Sequence, residues 1–421
     1  MHRGNSMANE QRQSYDIAIL GGGAAGMMAA IAAHRTNPLL KILILDKNDQ
    51  LGRKLLATGN GHCNFSNANQ AMENYRSNDS QAVGQVLKSF GLQETLVFFQ
   101  QLGLHIRCEE DRYYPRSNQG KIVRELLKSE IDNYPLTQQL NTSVGKIEVF
   151  PHGFCLSSQL GDPFTAHKLI LCSGGAAAPQ LGTSGDFYAW LQNTGHRILA
   201  PVPALMPLQL EMDHLKKLAG VRFEGKASLL VDGKETAKAE GVFLWTNYGV
   251  SGIPTLELSR FASRALYEQK QLQLSLDFLP EFDLTEVRNL AFSWMTQNKA
   301  QVIISLSGLL HSELAAYFLS IVEREIGVIR SMHPGQACYL AELLKGYTVT
   351  VNGSKGWADA QTTCGGVLLS EIDLTTMESK RLKNLFIAGE VLDVDGNCGG
   401  YNLQWAWSSG FLAGRGAAVS E

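Results

Sequence analysis

Tyr15-Asp-Ile-Ala-Ile-Leu-Gly-Gly-Gly-Ala-Ala-Gly26 decides the fold of this 421-residue chain. Tyr15 to Leu20 is a short apolar run suited to a buried parallel strand. Gly21 to Gly26 then fits G-x-G-x-x-G. In that pattern Gly21 permits the tight turn, Gly23 lets the backbone approach a pyrophosphate, and Gly26 lets a helix sit close to the strand. Ala24 and Ala25 open the helix, whose free N–H groups and positive dipole end face the phosphates. A second strand, Lys41 to Leu45, ends at Asp46, where an acid accepts from a ribose hydroxyl. Strand, turn, helix, strand and acid fall in order within a βαβ unit of about thirty residues. An adenine dinucleotide site follows.

Lys47 begins a segment that separates FAD from NAD. A nicotinamide dehydrogenase goes directly into another helix here. This chain inserts a loop rich in glycine and asparagine, Gly52-Arg53-Lys54-Leu55-Leu56-Ala57-Thr58-Gly59-Asn60-Gly61-His62-Cys63-Asn64. Such a loop can lie along an extended cofactor, offering backbone N–H donors and the charges of Arg53 and Lys54. Two distant stretches support FAD. Lys168 to Gly175 (KLILCSGG) is a strand running into paired glycines after Ser173, the second of them following Gly174. Leu385 to Ala388 (LFIA) is a strand entering Gly389-Glu390, with a loop through Asp395 to Gly400. From Tyr401, Asn402 and Leu403 the pattern is helical to about Ala418, with Gly410, Gly414 and Ala418 four apart as a close-packing ridge. A helix start aimed at the flavin pyrimidine edge would stabilise the negative charge added on reduction.

The sequence resembles the BaiN/YhiN-like FAD-dependent oxidoreductases, among the glutathione-reductase-like flavoproteins. The blocks that carry the resemblance are GGGAAG, LGRKLLATGNGHCNFSN from Leu51, LCSGGAAAPQLGTSGDFYAWLQNTGH from Leu171, WTNYGVSG from Trp245, TTCGGVLLSEID from Thr362, and GEVLDVDGNCGGYNLQWAWSSG from Gly389. They imply an α/β fold: a Rossmann-like two-dinucleotide-binding FAD domain with an inserted β-rich plus helical domain. They also imply a cofactor set that takes in Leu55, Thr58, Gly59, Gly61, Asn64, Val144 and Asp395 beside the residues above. Relatives reduce enones of bile-acid intermediates or oxidise aminoacetone. Three positions depart from the family pattern: His62 stands for Arg, Asn247 for His, and Phe187 for the second glycine of TGDGY.

The same division is legible along the chain. Residues 14–200 hold the first part of the FAD domain. Pro201-Val202-Pro203 breaks the pattern at the entry to an insert spanning 201–354, β-rich about 201–280 and 331–354 and helical about 281–330. Residues 355–421 return to the FAD domain. Length alone indicates more than one core.

The flavin carries the hydride chemistry, so a Ser or Cys nucleophile is not required. Lys54, His62 and Asn247 are the catalytic candidates: a cation by the cofactor, a proton donor, and a turn residue of TNYGVSG. Cys63 has no second Cys in its loop, the next being Cys108, so a dithiol role is not expected. Only one complete dinucleotide fingerprint is present, and a separate NAD(P)H domain is not expected. Either NAD(P)H docks transiently as donor to reduce a small organic substrate, or the substrate, such as a small amine, is the reductant and oxygen the acceptor. An FAD-binding redox sensor without turnover is the third reading.

Lys and Arg number 37 against 40 Asp and Glu, a formal −3, which argues against nucleic acid as the main partner. Apolar residues at 44% are enough for a sizeable core. Seven cysteines with no close pair and no zinc spacing indicate a reducing, cytoplasmic setting and no metal. The polar start through Asp16 reads as a frayed leader without the apolar core of a signal peptide. Ile17 to Ala33 carries no charge but holds a glycine triplet, so no membrane span is expected. Oligomeric state is not encoded in any visible pattern.

Overall fold

Ile17, Ala18 and Ile19 are fully buried, as is every residue of the run Leu43–Leu45. In the computed structural model, which describes residues 14–158, 161 and 163–419, these runs are central strands of a seven-stranded sheet. Residues 1–13 of the expected leader lie outside the described residues, and its last three, Ser14 to Asp16, are not a frayed tail but the start of the first strand. The chain forms two compact units, 1–201 with 362–421 and, between them in sequence, 202–361.

In the first unit the strands are β1 (Ser14–Leu20), β2 (Ile42–Leu45), β3 (Thr137–Gln139), β4 (Val144–Phe150), β5 (Gly153–Ser158), β6 (Phe164–Leu171) and β7 (Leu385–Ile387). Their order is β3-β2-β1-β6-β5-β4, with β7 also pairing β6. β3, β2, β1, β6 and β7 run parallel, while β5 is antiparallel to both of its neighbours, β6 and β4. The registers align Leu45 with Leu20, Leu20 with Leu171, and Leu171 with Ile387. Four strands therefore end in one row.

Helix α1 (Ala24–Thr36) follows β1 and stops before Pro38, which cannot continue a helix and holds Asn37 extended. Residues 25–34 of α1 are all buried, because β1, β2 and β6 lie against one side of it and the closing helix, Tyr401–Val419, packs along another. Between them in sequence comes the short α2 (Arg53–Ala57). Helix α3 (Tyr401–Val419) packs on α1 through small residues. A Cβ on Gly410 would lie 2.4 Å from the Ala25 carbonyl oxygen, and one on Gly414 would lie 2.2 Å from that of Ala29. Ala418, third in the expected ridge, is only half-buried.

The second unit is a closed antiparallel barrel with strands in the order Leu208–Glu211, Gly249–Ser251, Lys234–Thr246, Arg222–Val231, Leu272–Asp277 and Tyr347–Ser354. Phe223 stacks on Phe243 at 5.1 Å and meets Phe278 at 4.6 Å in its core. Two parts of the expected β-rich stretches are helical instead, Ile253–Tyr267 and Pro334–Gly346. Pro at the first turn opens each, and buried Leu258, Ala262 and Ala265, spaced four and three apart, form a face without a long apolar run. Return to the first unit comes at Thr362 rather than near 355. The intervening segment stays with the barrel unit, where Gln361 N–H donates to the Ala204 carbonyl at 3.2 Å.

Candidate functional site

At the carboxyl ends of β2, β1, β6 and β7 stand, in order, Asp46, Gly21 to Gly23, Ser173 with Gly174, and Gly389 with Glu390. In open α/β sheets ligands bind at such an edge.

The three glycines of the first corner differ in what surrounds them. Gly21 has φ +103°, and an added Cβ would lie 2.3 Å from the Cys172 carbonyl oxygen. At Gly26 it would lie 1.8 Å from the Gly21 carbonyl oxygen. At Gly23 it would meet nothing within 4 Å. Two glycines thus fold the turn, and the third faces open space at the start of α1. That helix has no side-chain cap and no acid in its first turn, which leaves an electropositive end.

Asp46 is buried, not a solvated strand end. Its Oδ2 accepts from Gly22 N–H at 2.7 Å and its Oδ1 from Asn48 N–H at 2.8 Å. Each oxygen retains one lone pair for a further donor. The Asp46 backbone bonds Gln139 and Thr142, and buried Val144 opens β4 two residues later, where it pairs with Ser158.

The basic loop folds back over this edge. Gly52, at φ +68°, donates to the Gly22 carbonyl at 2.8 Å. Leu55 is buried and its carbonyl accepts from the Thr58 hydroxyl at 2.7 Å. Gly59 and Gly61 both adopt positive φ, and Gly61 accepts from Gly120 N–H. Arg53 is exposed, 3.3 Å from Asn48. Lys47 pairs with Asp186 at 2.7 Å; burial raises the Asp186 carboxyl, but the hydrogen bonds from Lys47 and Ser184 and the Lys47 charge together outweigh it, and the net shift is downward. The bare cation expected at Lys54 is instead half of an ion pair, its Nζ 2.7 Å from Glu390 Oε2.

His62 is exposed, with Nδ1 3.2 Å from the Asn118 carbonyl oxygen. A carbonyl only accepts, so Nδ1 carries the hydrogen of this contact and Nε2 is the nitrogen left for a further partner. Cys63 is buried; desolvation pushes its thiol up to about 11, against a smaller downward pull from Thr58.

The third corner is gripped by α3. Gly389 N–H donates to Ser409 at 3.0 Å, and its carbonyl accepts from Trp405 Nε1 at 3.2 Å. Asn402 spends its side chain on Gly396, receiving from its N–H at 2.8 Å and donating to its carbonyl at 3.0 Å. Asp395 is buried opposite Arg76. Tyr401 is buried edge-on to Tyr75, and Leu403 is half-buried. Gly400, at φ +92°, lies against Asn64 Oδ1, a buried atom without a hydrogen-bond donor.

Asn247 is exposed in the second unit, in the two-residue turn that joins Lys234–Thr246 to Gly249–Ser251. Sequence reasoning missed Thr363 and Tyr188. Thr363 is buried at the centre of a hydrogen-bond hub, and no spacing in TTCGG distinguishes it from an ordinary strand threonine. The Tyr188 hydroxyl is buried without a partner, and burial, with the charges of Glu390 and Asp393, pushes its pKa upward. Among the described residues no group of His, Cys, Asp and Glu could hold a metal ion, and no helix is long and apolar enough to cross a membrane.

A parallel sheet with a glycine turn, a strand-end acid and two further glycine corners on one edge defines a Rossmann-type flavoprotein oxidoreductase. The chain belongs to the family described as the HI0933-like protein Rossmann domain, whose profile matches residues 15–416. It is similar to the 3-dehydro-bile acid delta(4,6)-reductase of Clostridium scindens, 37% identical over 405 residues that cover 96% of this chain and 98% of that one. It is also similar to the ribosomal RNA dihydrouridine synthase of Escherichia coli, 29% identical over 415 residues, 96% of this chain and 98% of that one. Among solved structures, a 3-ketosteroid delta1-dehydrogenase from Sterolibacterium denitrificans has a TM-score of 0.53 at 11% identity, covering 97% of this chain and 100% of that chain. This last likeness is one of fold.

Proposed function

We propose that the protein binds FAD along the edge formed by Asp46, Gly23, Gly174 and Gly389, and uses it with NAD(P)H to reduce a carbon–carbon double bond next to a carbonyl in a small organic molecule. The observation that carries the reading is the row of strand ends, which gathers three glycine corners from both ends of the chain. The residues fit the cofactor: open space at Gly23, spare lone pairs on Asp46, and the unpartnered Asn64 Oδ1 and Tyr188 hydroxyl.

Bound flavin supplies the hydride chemistry at N5. The chain supplies position and charge. Asp46 orients a ribose through its free lone pairs, while its two backbone bonds hold the carboxylate in place. The capless start of α1 meets the phosphates. His62, exposed on the loop, is the candidate to deliver the proton that completes the reduction.

The reduction type is drawn from the two relatives: a delta(4,6)-reduction and the making of a dihydrouridine both add two hydrogens across a double bond. Hydride addition to such a bond needs an electron-withdrawing neighbour, which a carbonyl provides. The net charge of −3 favours a small molecule over a polyanion. Anaerobic mixing of the purified yellow protein with NADPH or NADH tests the reading. Bleaching of the flavin, followed by reoxidation with an enone, is the expected result. A flavin untouched by either nicotinamide but bleached by an amine would replace it with an oxidase.

A further inference from the structure

Glu390 stands where three segments of the proposed cofactor site meet. Its Oε2 accepts from Lys54 Nζ at 2.7 Å. Its Oε1 accepts from Thr363 N–H at 3.0 Å and from the Thr363 hydroxyl at 2.9 Å. The same hydroxyl accepts from Ala176 N–H at 2.8 Å and Ala177 N–H at 3.1 Å. Lys54 Nζ also reaches the Ala177 carbonyl at 3.4 Å. The Thr363 hydroxyl, with one donor and two acceptor sites, is thus fully committed and has nothing left for a ligand. The second corner is shaped to admit this hub, since a Cβ on Gly175 would lie 2.2 Å from Thr363 Oγ1 and 2.9 Å from Glu390 Oε1. An alanine there would strike both.

We infer that Glu390 is a positioning residue: through Thr363 it latches the second glycine corner to the third, and through its charge it neutralises Lys54 within the cofactor site. The latch fixes the spacing between Gly174 and Gly389. The neutralised ammonium gives the reduced, more negative form of the cofactor no special advantage over the oxidised form. This rests on the reading that the first unit binds FAD.

The test uses the full-length holoprotein with two readouts, the FAD dissociation constant and the two-electron midpoint potential. Glu390→Gln keeps an oxygen for Thr363 but frees the Lys54 charge. It is expected to hold reduced flavin about tenfold more tightly relative to oxidised flavin, a positive shift of about 30 mV. Thr363→Val removes the hub and is expected to weaken FAD binding at least tenfold, on the order of 1.4 kcal/mol, whereas Thr363→Ser restores it. A wild-type potential in Glu390→Gln, or wild-type affinity in Thr363→Val, overturns the inference. If Thr363→Val does not fold, the potential of Glu390→Gln decides alone. A wild-type chain that takes up no FAD would instead remove the functional reading beneath it.

Discussion

Gly410 of α3 lies against the backbone of Ala25 at the start of α1, so the last helix of the chain braces its first glycine turn. The contact is backbone to backbone, and no rotamer change can relieve an added methyl there. Gly414 repeats it one turn later on Ala29. Gly410→Ala gains up to about 1 kcal/mol in helix propensity but overpacks a rigid contact at a cost of about 1–3 kcal/mol. We expect a lower melting temperature and, because Ala25 belongs to the phosphate-facing turn, weaker FAD binding. Thermal melts of Gly410→Ala and Gly414→Ala check this. Unchanged melting in both would mean that the helices separate freely.

Gly23 and Gly26 should answer differently to the same substitution. A methyl at Gly26 falls 1.8 Å from a carbonyl oxygen, so Gly26→Ala should unfold the turn and yield little folded protein. A methyl at Gly23 meets open space and its φ is −75°, so Gly23→Ala should fold with the wild-type melting temperature. It should nonetheless lose FAD affinity, because the methyl occupies the space offered to the pyrophosphate. Equal losses of stability in the two variants would contradict this division of roles.

Much of this edge was legible because its signals are local. A strand, a glycine turn and an acid can be read wherever each residue's job concerns its immediate neighbours. Gly410 and Gly414 were also visible, since a four-residue spacing of small residues marks a close-packed helix face, although their partners Ala25 and Ala29 were not. What escaped notice depends on tertiary contacts. Thr363 becomes a hub only when it meets Ala176, Ala177 and Glu390, each far away in sequence. The charge of Lys54 looks free until Glu390, distant along the chain, is folded against it. Pro334–Gly346 escaped for a different reason: its buried face is built partly from Ala337 and Ala341, which carry little apolar signal.

Cys63 should be chemically inert. Its thiol, pushed up to about 11 by burial, is almost wholly protonated at neutral pH, and only the thiolate attacks. Native protein treated with a thiol-alkylating reagent at neutral pH should be modified at exposed Cys108 and spared at Cys63. Cys63→Ala should keep FAD affinity and its rate of reduction by NADPH within about twofold. Rapid alkylation of Cys63 in the folded state, read by peptide mass, would reopen the dithiol reading.

Glu371 should make the first unit sensitive to acid. Its carboxylate is buried between Arg381, whose hydrogen bonds are the largest influence, and Arg197 at 2.6 Å, and together they hold it down to about 2. Because the folded value lies below the ordinary 4.5, the unfolded chain binds the proton first. The carboxylate therefore contributes its full stability above about pH 4.5 and loses it as pH falls toward 2. The shift corresponds to about 3 kcal/mol at most, and since both guanidinium groups are largely exposed, about 1–2 kcal/mol is the better expectation. Glu371→Gln should be less stable than wild type at neutral pH, and its stability should vary less between pH 4.5 and 2. Denaturant melts at several pH values measure the difference, and parallel curves for the two proteins across that window would show that the pair of arginines does not hold this carboxylate charged.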